Sequence, residues 1–452
     1  MFDLAILGGG PGGYVAAERA GAAGLKTVIF EKNSLGGVCL NEGCIPTKTL
    51  LYSAKVYNYA LTGDHYGVYV KEPSFNYSEI VDRKDKVVKK LVGGVKAAMK
   101  AGKVQVVAEH ATIKGRSAEG ITLTAGGEEY TAKNLLICAG SEASVPPFPG
   151  LKEAGDVIVT NREILSLREQ PKELVVIGGG VIGMEFAAFF NTLGTKVTVV
   201  EMLPKILGPM DDEISSMLQK IYAKRGIEFC LKCKVTGIEG NTVVYEDPDG
   251  KVCRVSGDKI LVSVGRRAVL KGYGLENLGV AAERGIKVDE HMRTNIPNVY
   301  AAGDVTGFSM LAHTASREGE VAVNNILGRP DRMRYDAIPG VVYTNPEVAG
   351  VGLTEEQAKA SGREYEVLKL PMAYSGRFVA ENEGGEGICK IIVGKKYHEV
   401  LGVHMLGNPC SEIIQSACIA IETEMTVEQL KEVVFPHPTV SEIIKETAFT
   451  LK

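Results

Sequence analysis

A chain of 452 residues, 45% of them hydrophobic, is long enough for roughly two to four domains, each with a sizeable core. Its 51 basic and 55 acidic residues leave a formal charge of −4, without the basic excess that grips nucleic-acid phosphates. No run of about 18 apolar residues suggests a membrane span, and the first strand starts almost at Met1, so no signal or transit peptide is expected and the expected location is cytoplasmic.

Residues 3–7, Asp-Leu-Ala-Ile-Leu, predict a short apolar strand. It runs into Gly8-Gly-Gly10-Pro-Gly-Gly13, an Ala-rich helix and a second strand, Thr27–Glu31, which is the Gly-x-Gly-x-x-Gly dinucleotide fingerprint in its required setting. Gly8, Gly10 and Gly13 let backbone and helix N-terminus approach a pyrophosphate, and Glu31 is placed to accept hydrogen bonds from a ribose diol.

The stretch Gly36–Lys48 follows, with Cys39 and Cys44 in it. A bridge between them needs Cα atoms about 4.4–6.8 Å apart, so the chain must coil tightly, helped by Gly43. Pro46 is expected at the first helical position, with Thr47–Ala54 continuing the helix. Cys44 then lies at the positive end of a helix, where a thiolate is stabilised.

A buried strand, Leu135–Ala139, closes on Gly140, and the Pro-rich Val145–Gly150 reads as a linker. The fingerprint then recurs as Gly178-Gly-Gly180-Val-Ile-Gly183, followed by a helix and Lys196–Glu201, and each acid follows its first glycine by 23 residues. Two Rossmann-like units are encoded in one chain. A carboxylate at Glu201 favours a free ribose 2′-hydroxyl and repels a 2′-phosphate, so a dinucleotide without the 2′-phosphate is expected there.

Cys230 and Cys233 form a Cys-x-x-Cys in a stretch that reads as extended, where residues three apart point to opposite faces. Neither a second such pair nor a His pair completes a zinc site, so they read as packing, and no metal is expected. Cys138, Cys389 and Cys418 lie in apolar segments and also read as core. Asn298–Val305 is an apolar strand ending in Gly303-Asp304.

From Arg334 on, strand-like segments at 340–344, 387–393 and 400–407 precede helical stretches near 409–423, 426–433 and 439–446. This predicts a mixed α+β domain without a nucleotide fingerprint. Within it, His437 is held between two prolines and Glu442 begins or caps the next helix, a pairing in which the acid orients the imidazole and stabilises its cation.

The run Gly-Gly-x-Cys-x-Asn-x-Gly-Cys-Ile-Pro-Thr-Lys at 36–48, both fingerprints, Ala-Gly-Asp304 and His437-Pro-Thr-x-x-Glu442 resemble the pyridine nucleotide-disulfide oxidoreductases, in order and over the full length. The resemblance implies an α/β chain with two Rossmann-like dinucleotide-binding domains of the glutathione-reductase-like type and a C-terminal α+β dimerisation domain. It implies an FAD-binding domain at 1–147 and 266–334, an NAD-binding domain at 148–265 and an interface domain at 335–452. FAD would meet Gly8, Gly10, Gly13, Glu31, Gly36, Gly37, Lys48, Ala111, Asp304 (on the ribityl chain) and Ala312. NAD would meet Gly178, Gly180, Ile182, Gly183, Glu201, Val235 and Gly265.

The same resemblance makes Cys39–Cys44 a redox disulfide, pairs Lys48 with Glu185 near the flavin, and makes His437 with Glu442 the base of a homodimer whose active site is shared between subunits. His313 reads as a structural neighbour of the flavin. Glu201-Met-Leu-Pro lacks the basic residues of the NADP enzymes, and Ala448–Lys452 lacks a further cysteine pair. The implied reaction is oxidation of protein-bound dihydrolipoamide with hydride transfer to NAD. The lipoyl-bearing partner would belong to a 2-oxo acid dehydrogenase or a glycine cleavage system. An NADH-dependent reductase of another disulfide is the competing reading, and Phe435 stands where many relatives have a second His.

Overall fold

Leu4, Ala5 and Ile6 in the strand Phe2–Leu7 are fully buried, as a strand covered on both faces of a parallel sheet must be. In the computed structural model, which describes residues 1–452, this strand pairs in parallel with Thr27–Phe30 on one side and Glu128–Ile137 on the other. Gln105–Val107 and Val299–Ala301 extend the sheet in parallel. Ile121–Ala125 and Ala111–Arg116 add an antiparallel hairpin beside Glu128–Ile137, completing seven strands. These strands lie in one compact unit, Met1–Thr49 with Val81–Ser144 and Gly265–Arg334.

The second unit comprises Leu50–Ile80, Val145–Val264 and Tyr335–Lys452. Its five-stranded parallel sheet runs Glu228–Leu231, Lys196–Glu201, Glu173–Ile177, Lys259–Val262, Ile158–Val159. The helix Val181–Thr192 buries Met184, Phe186, Phe189 and Phe190, each contributing about 1.5–3 kcal/mol of burial. A three-stranded antiparallel meander, Lys234–Glu239, Thr242–Glu246 and Val252–Ser256, follows.

The C-terminal part of this unit is a five-stranded antiparallel sheet, in the order Gly340–Val342, Val348–Gly352, Val400–Leu406, Ile388–Gly394, Tyr365–Pro371. The helices Cys410–Glu422, Val427–Glu432 and Glu442–Ala448 share one core with it. Phe435 packs against that core. A buried ion cluster also sits in this unit: Lys390 Nζ lies 2.9 Å from Asp211, 2.6 Å from Glu355 and 3.3 Å from Glu213, with Lys390 and Asp211 almost without exposure. No helix of the chain is long and apolar enough to cross a membrane.

Two local expectations are corrected. The helix after the cysteine pair begins at Cys44, so Pro46 is its third residue. Proline is tolerated there because the first-turn N–H groups have no intrahelical partner. The segment around Cys230 and Cys233 is not one strand: Lys232 adopts a left-handed φ of 56° and separates Glu228–Leu231 from Lys234–Glu239. Both thiols consequently face the same core instead of opposite faces.

Candidate active site

The two fingerprints fold alike down to individual hydrogen bonds. Gly8 and Gly178 end their strands at φ of 107° and 103°, and a Cβ on either would collide with a carbonyl oxygen, of Cys138 at 2.1 Å or of Ser263 at 2.3 Å. Gly13 and Gly183 sit in the following helices, where a Cβ would come within 1.9 and 2.1 Å of the Gly8 and Gly178 carbonyl oxygens. Ile182 is the second residue of its helix. Glu31 accepts from the N–H of Gly9 at 2.8 Å and of Asn33 at 2.8 Å, and Glu201 accepts from Gly179 at 2.6 Å and Leu203 at 2.7 Å.

Gly10 and Gly180 differ from the other glycines. A Cβ on Gly180 meets nothing within 4 Å, and one on Gly10 meets only Gly37 Cα at 3.9 Å, so packing within the chain explains neither. Each is the residue before a helix, with that helix's unpaired N–H groups beside it. An open cradle at a helix N-terminus with a carboxylate beyond it suits the pyrophosphate and ribose of a dinucleotide. A carboxylate has about four acceptor positions, so Glu31 and Glu201 retain capacity for a ribose diol. These residues fit a dinucleotide cofactor at each copy.

The cysteine loop is clamped directly onto the first fingerprint. Gly36 N–H donates to the Gly9 carbonyl at 2.7 Å, and Gly37 approaches so closely that a Cβ there would lie 2.6 Å from Gly10 Cα. Gly36 and Gly37 hold φ of 100° and 57°, a region glycine occupies without strain. Asn41 fixes the short helix Gly37–Glu42 by donating to the carbonyls of Gly37 at 2.9 Å and Leu35 at 3.2 Å. Cys39 sits on that helix and Cys44 opens the next, with Gly43 as the joint.

The pair stands as a dithiol with the two side chains hydrogen-bonded. That hydrogen bond, reinforced by burial and by the charge of Cys44, pushes the Cys39 thiol up, while the nearby Lys48 ammonium opposes the shift. Burial pushes the unrelated Cys389 thiol up to about 12 and Cys418 to about 11, as expected of core residues. Cys138 is raised by burial as well.

Asp304 follows the strand Val299–Ala301 and opens a short turn. Its carboxylate accepts from Ser141 Oγ, which in turn accepts from Arg266 Nε at 2.7 Å, and Arg266 Nη2 reaches the Ser141 carbonyl at 2.8 Å. The fully buried Glu318 takes the Gly303 N–H at 2.6 Å. Sequence reading missed Ser141 and Glu318; a polar residue after Gly140 and a Glu in an apolar helix were the available signals. Ala111 begins the edge strand of the first sheet, Ala312 and His313 begin the helix Ala312–Ile326, and Gly265 adjoins Arg266 with φ of 115°.

The second unit holds the remaining expected residues. His437 is largely exposed, and its Nδ1 lies 2.9 and 3.2 Å from the two Glu442 oxygens. Glu442 is the first residue of its helix and also accepts the Thr439 N–H at 2.8 Å. That backbone donor first, and His437 second, lower the Glu442 carboxyl below its ordinary range. This leaves Nε2 of His437 as the group facing outward. Glu185 is buried in the second fingerprint helix and accepts the Tyr343 N–H at 3.0 Å. Val235 lies in the meander strand opposite Tyr245.

Comparison with known proteins agrees with this geometry. Residues 2–319 match the model of the pyridine nucleotide-disulphide oxidoreductase family, and residues 338–448 match that family's dimerisation domain. The chain is 39% identical over 463 residues to dihydrolipoyl dehydrogenase of Bacillus subtilis, covering 99% of this chain and 97% of that protein. It is 41% identical to the mitochondrial dihydrolipoyl dehydrogenase of Homo sapiens, covering 98% of this chain and 89% of the other. Among solved structures, LpdA from Mycobacterium tuberculosis superposes with a TM-score of 0.91 at 26% identity, each chain covered in full. The HOCl-induced flavoprotein disulfide reductase RclA from Escherichia coli gives 0.87 at 27% identity, again with full coverage of both chains. The chain therefore belongs to the pyridine nucleotide-disulphide oxidoreductases.

Proposed function

We propose that this chain oxidises protein-bound dihydrolipoamide and delivers the electron pair, by way of Cys39, Cys44 and FAD, to NAD. The observation that carries the reading is the pair of hydrogen-bonded cysteines on a loop packed against a dinucleotide turn. The curated relatives named above as dihydrolipoyl dehydrogenases supply the substrate class.

In this reading His437, oriented by Glu442, takes a proton from one thiol of dihydrolipoamide. The thiolate attacks Cys39 Sγ in the disulfide form of the enzyme, the Cys39–Cys44 bond breaks and Cys44 leaves as a thiolate. The second substrate thiolate then attacks the mixed disulfide, releasing lipoamide and leaving both enzyme cysteines reduced. Cys39 keeps a proton and Cys44 the charge, beside the Lys48 ammonium. When bound, FAD supplies two-electron acceptance from a thiolate and hydride transfer to NAD. Gly36 and Gly37 fix the sulfurs to the pyrophosphate turn, while Ser141 and Arg266 hold Asp304 for the ribityl chain.

The proposal assigns FAD to residues 1–147 and 266–334, NAD to 148–265 and the subunit interface to 335–452. A match to a dimerisation domain supports a homodimer, in which the partner subunit's His437 serves Cys39. The lipoyl group comes from a separate protein of a 2-oxo acid dehydrogenase or glycine cleavage system. A reducing compartment, the cytoplasm, suits a nine-cysteine chain whose chemistry uses one pair.

The test is NADH formation by the flavin-loaded chain with dihydrolipoamide and with a lipoylated protein domain, against NADH-driven reduction of coenzyme A disulfide and other low-molecular-weight disulfides. Fast lipoyl turnover is expected. Turnover of another disulfide exceeding it would replace the substrate assignment and leave the electron path intact.

A further inference from the structure

The chemistry above makes no use of the Cys-x-x-Cys at 230–233. The turn at Lys232 directs Cys230 and Cys233 toward one core, against which Cys253 of the strand Val252–Ser256 also packs, with Cys233 buried and the other two partly so. Cys230 Sγ lies 3.3 Å from Tyr245 Oη, and Tyr245 is the cross-strand neighbour of Cys253. No group of three or more His, Cys, Asp or Glu side chains is arranged to hold a metal ion there; the two thiols instead act electrostatically on one another across the same core.

The backbone of the same turn is tied to the second nucleotide acid. Cys233 N–H donates to the Glu201 carbonyl at 2.9 Å, and Lys232 N–H donates to the Leu203 carbonyl at 3.1 Å. Leu203 N–H in turn donates to the Glu201 carboxylate at 2.7 Å. The position of the carboxylate that would receive the NAD ribose is therefore set partly by the residue between the two thiols and by one of the thiol-bearing residues.

We propose that Cys230 and Cys233 are a second, regulatory dithiol that peroxide converts to a disulfide, with loss of NAD affinity. This rests on reading Glu201 as the ribose acid. Cys230, the more accessible thiol, attacks hydrogen peroxide. An S–O bond forms, the O–O bond breaks, and the released hydroxide takes the thiol proton as water. Cys233 Sγ then attacks the sulfenic sulfur, forming S–S and breaking S–O, and the second hydroxide leaves as water with the Cys233 proton. Two electrons pass from the two sulfurs to one peroxide. Drawing the sulfurs to bonding distance constrains the Cα separation and redraws the 231–232 backbone, pulling the Cys233 N–H from Glu201. Burial raises both thiols, so cross-linking proceeds through a small thiolate fraction and accelerates as pH rises.

The experiment treats the flavin-loaded enzyme, with its Cys39–Cys44 pair kept oxidised, with hydrogen peroxide. Peptide mass mapping and NADH binding are then measured before and after dithiothreitol. Expected are a 230–233 cross-linked peptide and NADH binding weakened about fivefold or more, both reversed by the reductant and both absent in Cys230→Ser and in Cys233→Ser. The absence of that peptide at peroxide levels that oxidise other thiols would overturn the proposal. So would a cross-linked enzyme that binds NADH as before. Because NADH binding needs no dithiol substrate, failure of the lipoyl assignment leaves this test unaffected.

Discussion

Gly180 and Gly183 belong to one fingerprint, yet the structure gives them opposite roles, and alanine at each separates cofactor fit from folding. At Gly180 the backbone has φ −70° and ψ −176°, open to any residue, and the new Cβ would touch nothing within 4 Å. The unfolded chain loses entropy worth about 0.4–1 kcal/mol, set against a poorer helix cap that costs about as much, so stability should stay within about 1 kcal/mol. The methyl group instead fills the cradle at the helix N-terminus. Loss of one hydrogen bond to a charged pyrophosphate costs about 1.5–3 kcal/mol, or about 10- to 100-fold in the KM for NAD. At Gly183 the Cβ would lie 2.1 Å from the Gly178 carbonyl oxygen and 3.1 Å from Val176 Cγ1. Overpacking of that kind costs about 1–3 kcal/mol, with Tm falling by about 2–4 °C for each kcal/mol. Thermal melts and NAD saturation curves on both variants form the assay. A Gly180→Ala enzyme with an unchanged KM for NAD, or a Gly183→Ala enzyme that melts normally, would refute the reasoning.

Replacing Lys390 with Met strands the buried Asp211 carboxylate and should cost about 3–5 kcal/mol, read as a lower urea midpoint; a midpoint at the wild-type value would contradict the pairing. Asp331, chelated by Arg317 at 2.8 and 2.6 Å, has its carboxyl lowered to about 2, mainly by that hydrogen bond. A lowered carboxyl contributes stability above its unfolded pKa near 4 and loses it as pH falls through the folded value. After screening at the half-exposed Arg317, Asp331→Asn should cost about 1 kcal/mol at neutral pH. The deficit should vanish near pH 2, as followed by pH-dependent urea unfolding. His437→Gln should lower lipoyl turnover by about 10²- to 10⁴-fold while NADH still reduces the flavin. Glu442→Gln, which keeps a neutral partner on Nδ1, should cost less than that, and equal losses would argue against an orienting role.

Features written in local sequence were legible. The fingerprints were readable because glycine at Gly8 and Gly178 answers a backbone requirement that every copy of the turn imposes. The pairing of His437 with Glu442 was readable because a short, proline-bounded spacing brings them together. Features made by distant chain segments were hidden. Lys390 lies inside the apolar run Ile-Cys-Lys-Ile-Ile-Val, and its partner Asp211 is 179 residues away, so nothing local announces a buried ion pair. Ser141 and Arg266 meet 125 residues apart to hold Asp304. The turn at Lys232 was missed because lysine in a left-handed conformation leaves none of the Gly, Asn or Asp signals that mark such turns. Pro46 misplaced the helix start by two residues, since proline is accepted anywhere in the first turn.

The most direct test of the central claim is the redox state of Cys39 and Cys44 through one turnover, trapped by rapid alkylation and read by peptide mass. With dihydrolipoamide and no NAD, the oxidised enzyme should convert its Cys39–Cys44 disulfide to two alkylatable thiols, and subsequent NAD should restore the disulfide as NADH forms. NADH formation while the pair stays in one state throughout would show that the electrons take another path.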